Sequence, residues 1–224
     1  NFSGMGSGKT LTAIEAIRLV GATRTVIVCP PIAMAMWKAT IEEQLGLCVQ
    51  LVKTSATGIA VDAAVHIMSY EIATRLVATL AGCRPDALIC DESHALKSVA
   101  AKRTKAILGH KGLATYCKHV WLLTGTPVTR HNDDLYPFLA RADLQGLGTR
   151  CGGTAMERFK LRFCVIQRRA FPGMRRPVDV VVGSRNTSEL NEWLFQGGLA
   201  VRRELKDVWA SMPPLTINRL PVAL

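Results

Sequence analysis

Four short apolar runs constrain the first 125 residues more than anything else in the chain: TVIVC (25–29), VHIMSY (65–70), ALIC (87–90) and VWLLTG (120–125). Each is the length of a strand and too short for a helix, and together they are rich in β-branched residues. VQLV (49–52) reads as one more strand. Amphipathic segments separate the runs, with helices predicted over about 34–45, 71–80 (Gly82 near its end), 99–108 and from near Asp133. Strands apolar along their whole length, alternating with helices, predict an α/β fold. Its sheet is mostly parallel, with helices on both faces. After about Asp143 the texture changes to glycine-rich DLQGLGTRCGGTAM and then to RRAFPGMRRP, a basic, turn-prone insertion. A strand VDVVV (178–182), a helix over 188–195 and a departing segment VRRELKDVW…MPPL follow. The division expected is one domain over 1–144, with 145–224 as its extension rather than a second complete domain.

Composition narrows the class. With 49% hydrophobic and 20% charged residues, the 224-residue chain is globular in kind. No apolar run approaches the roughly 20 residues that span a bilayer, which excludes a membrane helix. The seven cysteines are odd in number, scattered, and form no C-x-x-C pair. Buried reduced thiols are the favoured reading, with a zinc site second. The net charge of +11 is uneven: residues 150–224 hold 13 Lys/Arg against 6 Asp/Glu. A basic surface suits a polyanion such as nucleic acid, but charge alone fits a solvated face equally well.

Three motifs carry chemistry. In SGMGSGKT, residues Gly4, Met5, Gly6, Ser7, Gly8, Lys9 and Thr10 form a phosphate-binding loop leading into a helix. Its glycines let backbone N–H groups turn in on phosphate oxygens at the positive end of that helix. Lys9 is placed to reach the β/γ-phosphates of ATP, and Thr10 to hold Mg²⁺. Ser3 stands where the strict pattern has glycine. ALIC-DESH then puts Asp91 and Glu92 at the C-terminal end of a buried strand, where open α/β sheets bind ligands. Asp91 is the Mg²⁺ carboxylate, and Glu92 the base that orients and deprotonates water. Third, WLLTGTP sets the hydroxyls of Thr124 and Thr126 on a tight turn after a strand.

The order of these motifs, with Pro30-Pro31 and Trp37 after the first strand and Ser69-Tyr70-Glu71 after another, resembles the first RecA-like lobe of superfamily-two helicases. More narrowly it resembles Swi/Snf-type DNA translocases, through DESHALKS, MSYE and VRRELKDVWASMPPL; GSRN is similar to the annealing-helicase and phage branches. The resemblance implies a RecA-like P-loop NTPase lobe that hydrolyses ATP with Mg²⁺ and moves along double-stranded DNA. It implies catalytic roles for Lys9, Asp91 and Glu92, and Mg²⁺ at Thr10 and Asp91. His94, Thr124 and Thr126 would couple nucleotide state to DNA. DNA contacts would come from the loop after Pro30-Pro31 and from Ser69 and Tyr70. Arg168, Arg169, Arg175 and Arg176 flank a Phe-Pro-Gly turn and suit phosphate contacts or a solvated loop. Trp37 reads as core.

Departures are Ser3 and Gly4 before the loop, and Arg130 where asparagine is expected after Gly-Thr-Pro, with Asn132 nearby. The resemblance implies a second RecA-like lobe with an arginine finger as partner, absent from these residues, so weak turnover is expected of them alone. It implies a cytoplasmic setting in a bacterial or phage-infected cell, or a nuclear one in a eukaryote, not secretion. Strand-separating helicase, restriction-system motor and non-catalytic nucleotide-gated DNA-binding module are the competing functions.

Overall fold

The computed structural model describes residues 1–142, 156–173, 176–204 and 207. Five strands form one parallel sheet in the order β2-β3-β1-β4-β5: β1 Thr25–Val28, β2 Val49–Val52, β3 Val65–Met68, β4 Ala87–Asp91 and β5 His119–Leu123. Thr25 of the central strand registers with Val65 on one side and Ala87 on the other. All four residues of β1 and of β3 are buried, as strands covered on both faces must be.

Side-chain alternation sorts these strands into two cores. Val26, Val28, Met68, Leu88 and Cys90 face one layer, with Ala73 and Leu76. Ile27, Ile67 and Ile89 face the other, under Ile14 and Ile17 of helix α1 (Lys9–Leu19) and Trp37 and Ile41 of α2 (Met34–Leu45). Helix α2 ends where Gly46 adopts a left-handed conformation (φ 64°) and its N–H caps Glu42.

The helix expected over 71–80 is two shorter ones, α3 Tyr70–Arg75 and α4 Val77–Gly82, broken at Leu76. The break lets Ala73, Leu76 and Leu80 all enter one core. Helix α5 spans Lys102–Leu108, starting later than Val99. A 3-10 turn over Asn132–Leu135 precedes α6 (Tyr136–Ala142).

Beyond this lie α7 (Met156–Phe163), β6 (Cys164–Arg169), β7 (Val178–Ser184) and α8 (Thr187–Phe195). Strands β6 and β7 pair antiparallel as a separate ribbon, so the start of the supposed basic insertion is a strand. Phe159, Phe163, Leu190, Trp193 and Leu194 join the core that holds Leu135 and Phe138. The segment expected as an extension therefore shares a core with the sheet.

The lead-in to the phosphate loop lies hydrogen-bonded beside the end of β5. The Asn1 nitrogen donates to the Leu122 carbonyl, and Thr124 N–H to Asn1. On the other side, Phe2 N–H donates to Val201 (2.7 Å) and Gly4 N–H to Arg203 (2.9 Å). Residues 201–203, expected to leave the core, instead lie hydrogen-bonded beside the lead-in.

Candidate nucleotide site

The loop opens from this lead-in onto α1. Gly6 (φ 74°) and Gly8 (φ 79°) both take left-handed backbone, which only glycine adopts without strain. Gly8 caps α1 with no side-chain bond, so the first N–H groups of the helix keep no side-chain acceptor from their cap. That is an anion-binding arrangement. Lys9 folds back along the loop, its Nζ donating to the carbonyls of Ser3 (3.1 Å) and Gly4 (2.8 Å). Ser7 Oγ donates to the Gly4 carbonyl at 2.7 Å, closing the turn. Met5 is 82% exposed, so the loop faces open solvent. Ser3 has a role that glycine could not fill: its buried hydroxyl accepts from Arg203 N–H at 3.0 Å.

At the end of β4, the two oxygens of Asp91 have separate neutral donors. Oδ1 accepts from Glu92 N–H (3.0 Å), and Oδ2 from the Trp37 indole (2.9 Å). Trp37 is fully buried, in keeping with a core residue, and its hydrogen bond was not legible from the sequence. Neither donor carries a charge, so the carboxylate keeps its full attraction for a cation. Among the described residues no cluster of three His, Cys, Asp or Glu could hold a metal by itself. One carboxylate with a threonine hydroxyl fits Mg²⁺, which keeps most of its waters and takes the rest of its shell from substrate phosphates.

Glu92 sits at φ 48°, ψ 47°, a left-handed conformation costing a non-glycine residue roughly 1–2 kcal/mol. It turns the side chain back to His94, whose Nδ1 lies 3.1 Å from Oε2. The same Nδ1 is 3.4 Å from Oγ1 of the buried Thr124, which also accepts from Thr126 N–H at 3.1 Å. Gly125 closes the circle: a Cβ there would stand 3.8 Å from Lys9 Nζ and 3.7 Å from Met5 Cγ. Three motifs far apart in sequence thus meet at the C-terminal edge of the sheet.

Other expected site residues fall elsewhere. Ser69 and Tyr70, expected at a nucleic-acid surface, are buried. Ser69 Oγ caps α3 by accepting from Ile72 N–H, and Tyr70 donates its hydroxyl to the Asp91 carbonyl at 2.6 Å. Burial, reinforced by Cys90 and Asp91, pushes the Tyr70 phenol well above its ordinary range. Both side chains serve the interior, and Tyr70 steadies the backbone of the acid box. Arg168 and Arg169 lie on β6, where successive side chains take opposite faces, so they do not share one loop. Arg176 is exposed, and Arg175 lies outside the described residues.

A family model described as the SNF2-related domain matches residues 2–216. The chain belongs to that family. This SNF2-related domain is 30% identical over 161 residues to human "DNA repair and recombination protein RAD54B", covering 64% of the chain and 17% of that protein. It is 33% identical over 137 residues to mouse "DNA annealing helicase and endonuclease ZRANB3", covering 61% of the chain and 12% of that protein. The chain thus spans a small part of the curated relatives it matches. Its fold matches the Sulfolobus solfataricus SWI2/SNF2 ATPase core in complex with dsDNA at TM-score 0.62 and 19% identity, over 90% of this chain and 39% of that one. The fold is therefore RecA-like, as the motif order implied. No helix among the described residues is long and apolar enough to cross a membrane.

Proposed function

We propose that this SNF2-related domain binds and hydrolyses ATP as the first motor lobe of a protein that moves along double-stranded DNA. The run of contacts Glu92–His94–Thr124–Thr126, set beside Lys9, carries the reading. A phosphate loop alone would bind nucleotide. A polarised carboxylate wired to a second motif adds hydrolysis and a way to sense it.

The residues act as follows. The loop amides and the start of α1 receive the phosphates. Lys9 exchanges two loop carbonyls for phosphate oxygens, so its reach is pre-set by the loop itself. Thr10 and Asp91 would hold Mg²⁺, which when bound would supply charge neutralisation at the phosphates. Glu92, held by His94, orients the attacking water and takes its proton. Thr124 shares the His94 nitrogen, so a change at Glu92 is felt at the strand exit carrying Thr126.

Duplex DNA is the proposed track. A groove of about 610 Å³ at the same edge of the sheet is lined by Pro31, Met34, Lys53, Thr54 and Ser55, with Arg75 ion-paired to Glu71 on its wall. Exposed Lys53 and the hydroxyls of Thr54 and Ser55 suit a phosphate backbone. Glu92→Gln tests the chemistry: nucleotide binding is retained while turnover falls by about 10²–10⁴-fold. Unchanged turnover would remove Glu92 as the base.

A further inference from the structure

Between Glu157 and Asp179 the sequence has seven Lys/Arg and no Asp/Glu. A solvated face ordinarily mixes the two signs. The structure puts Arg158, Lys160 and Arg162 on α7, where Lys160 and Arg162 meet Asp133 and Glu189, and leaves Arg168, Arg169 and Arg176 on the β6–β7 hairpin. Arg168, Arg169 and Arg176 are all exposed, around a tip made by Phe171, Pro172 and Gly173 (φ 83°). Asp179 is the hairpin's one carboxylate among the described residues. It registers opposite Arg168 without coming within ion-pair distance of it. Arg169 is steadied by Gln167 Oε1 (2.9 Å), a neutral acceptor that leaves its charge uncompensated.

The root of the hairpin is held firmly, unlike a flexible basic loop. Asn132, 5% exposed, donates from its backbone to Ser184 Oγ (3.0 Å) and from its side-chain amide to the carbonyls of Phe163 (2.9 Å) and Arg185 (3.2 Å). Arg185 N–H also donates to Phe163 (3.0 Å), and Asn186 Nδ2 to Arg162 (2.8 Å). Asn132 lies six residues beyond Thr126. Lys97, just past the acid box, bonds Thr129 between them. The six residues of β6 make an arm of about 20 Å. That length covers about six phosphate rises along one strand of a duplex.

We propose that the β6–β7 hairpin is a duplex-DNA-binding arm whose distal end grips phosphates, with Arg168 on one face of the ribbon, Arg169 on the other and Arg176 across the tip, from a root fixed by Asn132 to the strand exit beside the nucleotide site. The proposal rests on the reading of this chain as a DNA motor lobe and adds a second grip outside the groove at the strand ends.

The test is binding of the 224-residue chain to a short blunt DNA duplex between about 50 and 200 mM salt. In Arg168→Gln/Arg169→Gln/Arg176→Gln, the slope of log affinity against log salt falls by about 2–3, at about 0.9 for each phosphate no longer neutralised. A second triple variant, Arg84→Gln/Lys111→Gln/Lys118→Gln, removes three exposed cations from loops outside the hairpin and keeps the wild-type slope. An unchanged slope in the hairpin variant overturns the proposal and leaves the motor reading intact. An equal fall in both variants overturns it too, by reducing the effect to net charge. No duplex binding by the wild type would instead overturn the DNA-motor reading.

Discussion

Trp37 spends its indole N–H on Asp91, and that one bond ties a core residue to the proposed chemistry. Trp37→Phe keeps the aromatic packing and deletes the donor. A hydrogen bond to a charged acceptor is worth about 1.5–3 kcal/mol, so a loss of stability of that order is expected in a denaturant titration. The informative readout is Mg²⁺. With Asp91 free to rotate, the Mg²⁺ needed for half-maximal nucleotide binding should rise several-fold, while binding in chelator should stay unchanged. A loss in both conditions alike would mean that Trp37 only packs. Tyr70→Phe, which frees the Asp91 carbonyl, should cost about 1 kcal/mol in the same titration. At this scale the sequence was informative about chemistry and silent about support. Lys9, Asp91, Glu92, His94 and Thr124 stand out because the chemistry proposed for them restricts their residue types. Tyr70 was placed on the wrong side of the protein surface, because nothing in MSYE shows which way a tyrosine after a strand turns.

At the level of elements, the central strands β1 and β4 are clamped where they enter the sheet. Asp86 Oδ2 accepts from Thr23 N–H (3.0 Å), Thr23 Oγ1 (2.7 Å) and Arg24 N–H (3.0 Å). The Thr23 hydroxyl is the main cause of an Asp86 pKa below the usual 3.8, aided by the two amides and Lys118. A depressed carboxylate pKa stabilises the fold at pH above 3.8, and that stability is lost as pH falls through the folded-state value. Asp86→Asn should therefore be less stable by about 1 kcal/mol at pH 7, a modest amount because the carboxylate is only partly buried. The gap in Tm should narrow as pH falls below 3.8 and through the folded-state value. A gap that persists in acid would assign the loss to packing. The buried strands were legible because apolar runs of four or five have few alternatives. β6 was not, because CVIQRR carries its arginines into a ribbon exposed along much of its length, where polarity mimics a loop. The single helix expected over 71–80 failed for another reason: Leu76 reaches the core only if the helix breaks there.

For the whole molecule, two cores on either side of one sheet bury most of the described thiols. Burial, then Asp91, pushes Cys29 up to about 12. Burial also pushes Cys164 up to about 11 and Cys90 higher still. A thiol reagent at pH 8 should modify exposed Cys48 quickly, while Cys29, Cys90, Cys117 and Cys164 react only as the fold opens. Mass spectrometry after labelling with and without denaturant checks this; rapid native labelling of Cys29 would contradict the packing described. The favoured sequence reading, buried reduced thiols, agrees with the burial of these four. The α/β class followed from strand-helix alternation, but the shared core of the later segment did not, since Phe159 and Trp193 meet Phe138 only in three dimensions.

One arrangement at the edge of the sheet has a mechanical meaning. Residues 201–203 lie alongside the lead-in to the phosphate loop, bonded through Phe2, Ser3 and Gly4. A pull transmitted along the chain past Arg203 would load those bonds side by side, in shear, before any helix felt it. The last bond in that row holds Gly4, whose carbonyl in turn holds Lys9 and Ser7. Tension on the segment past Arg203 would therefore be delivered to the turn that positions Lys9, making the loop a strain gauge for that part of the chain.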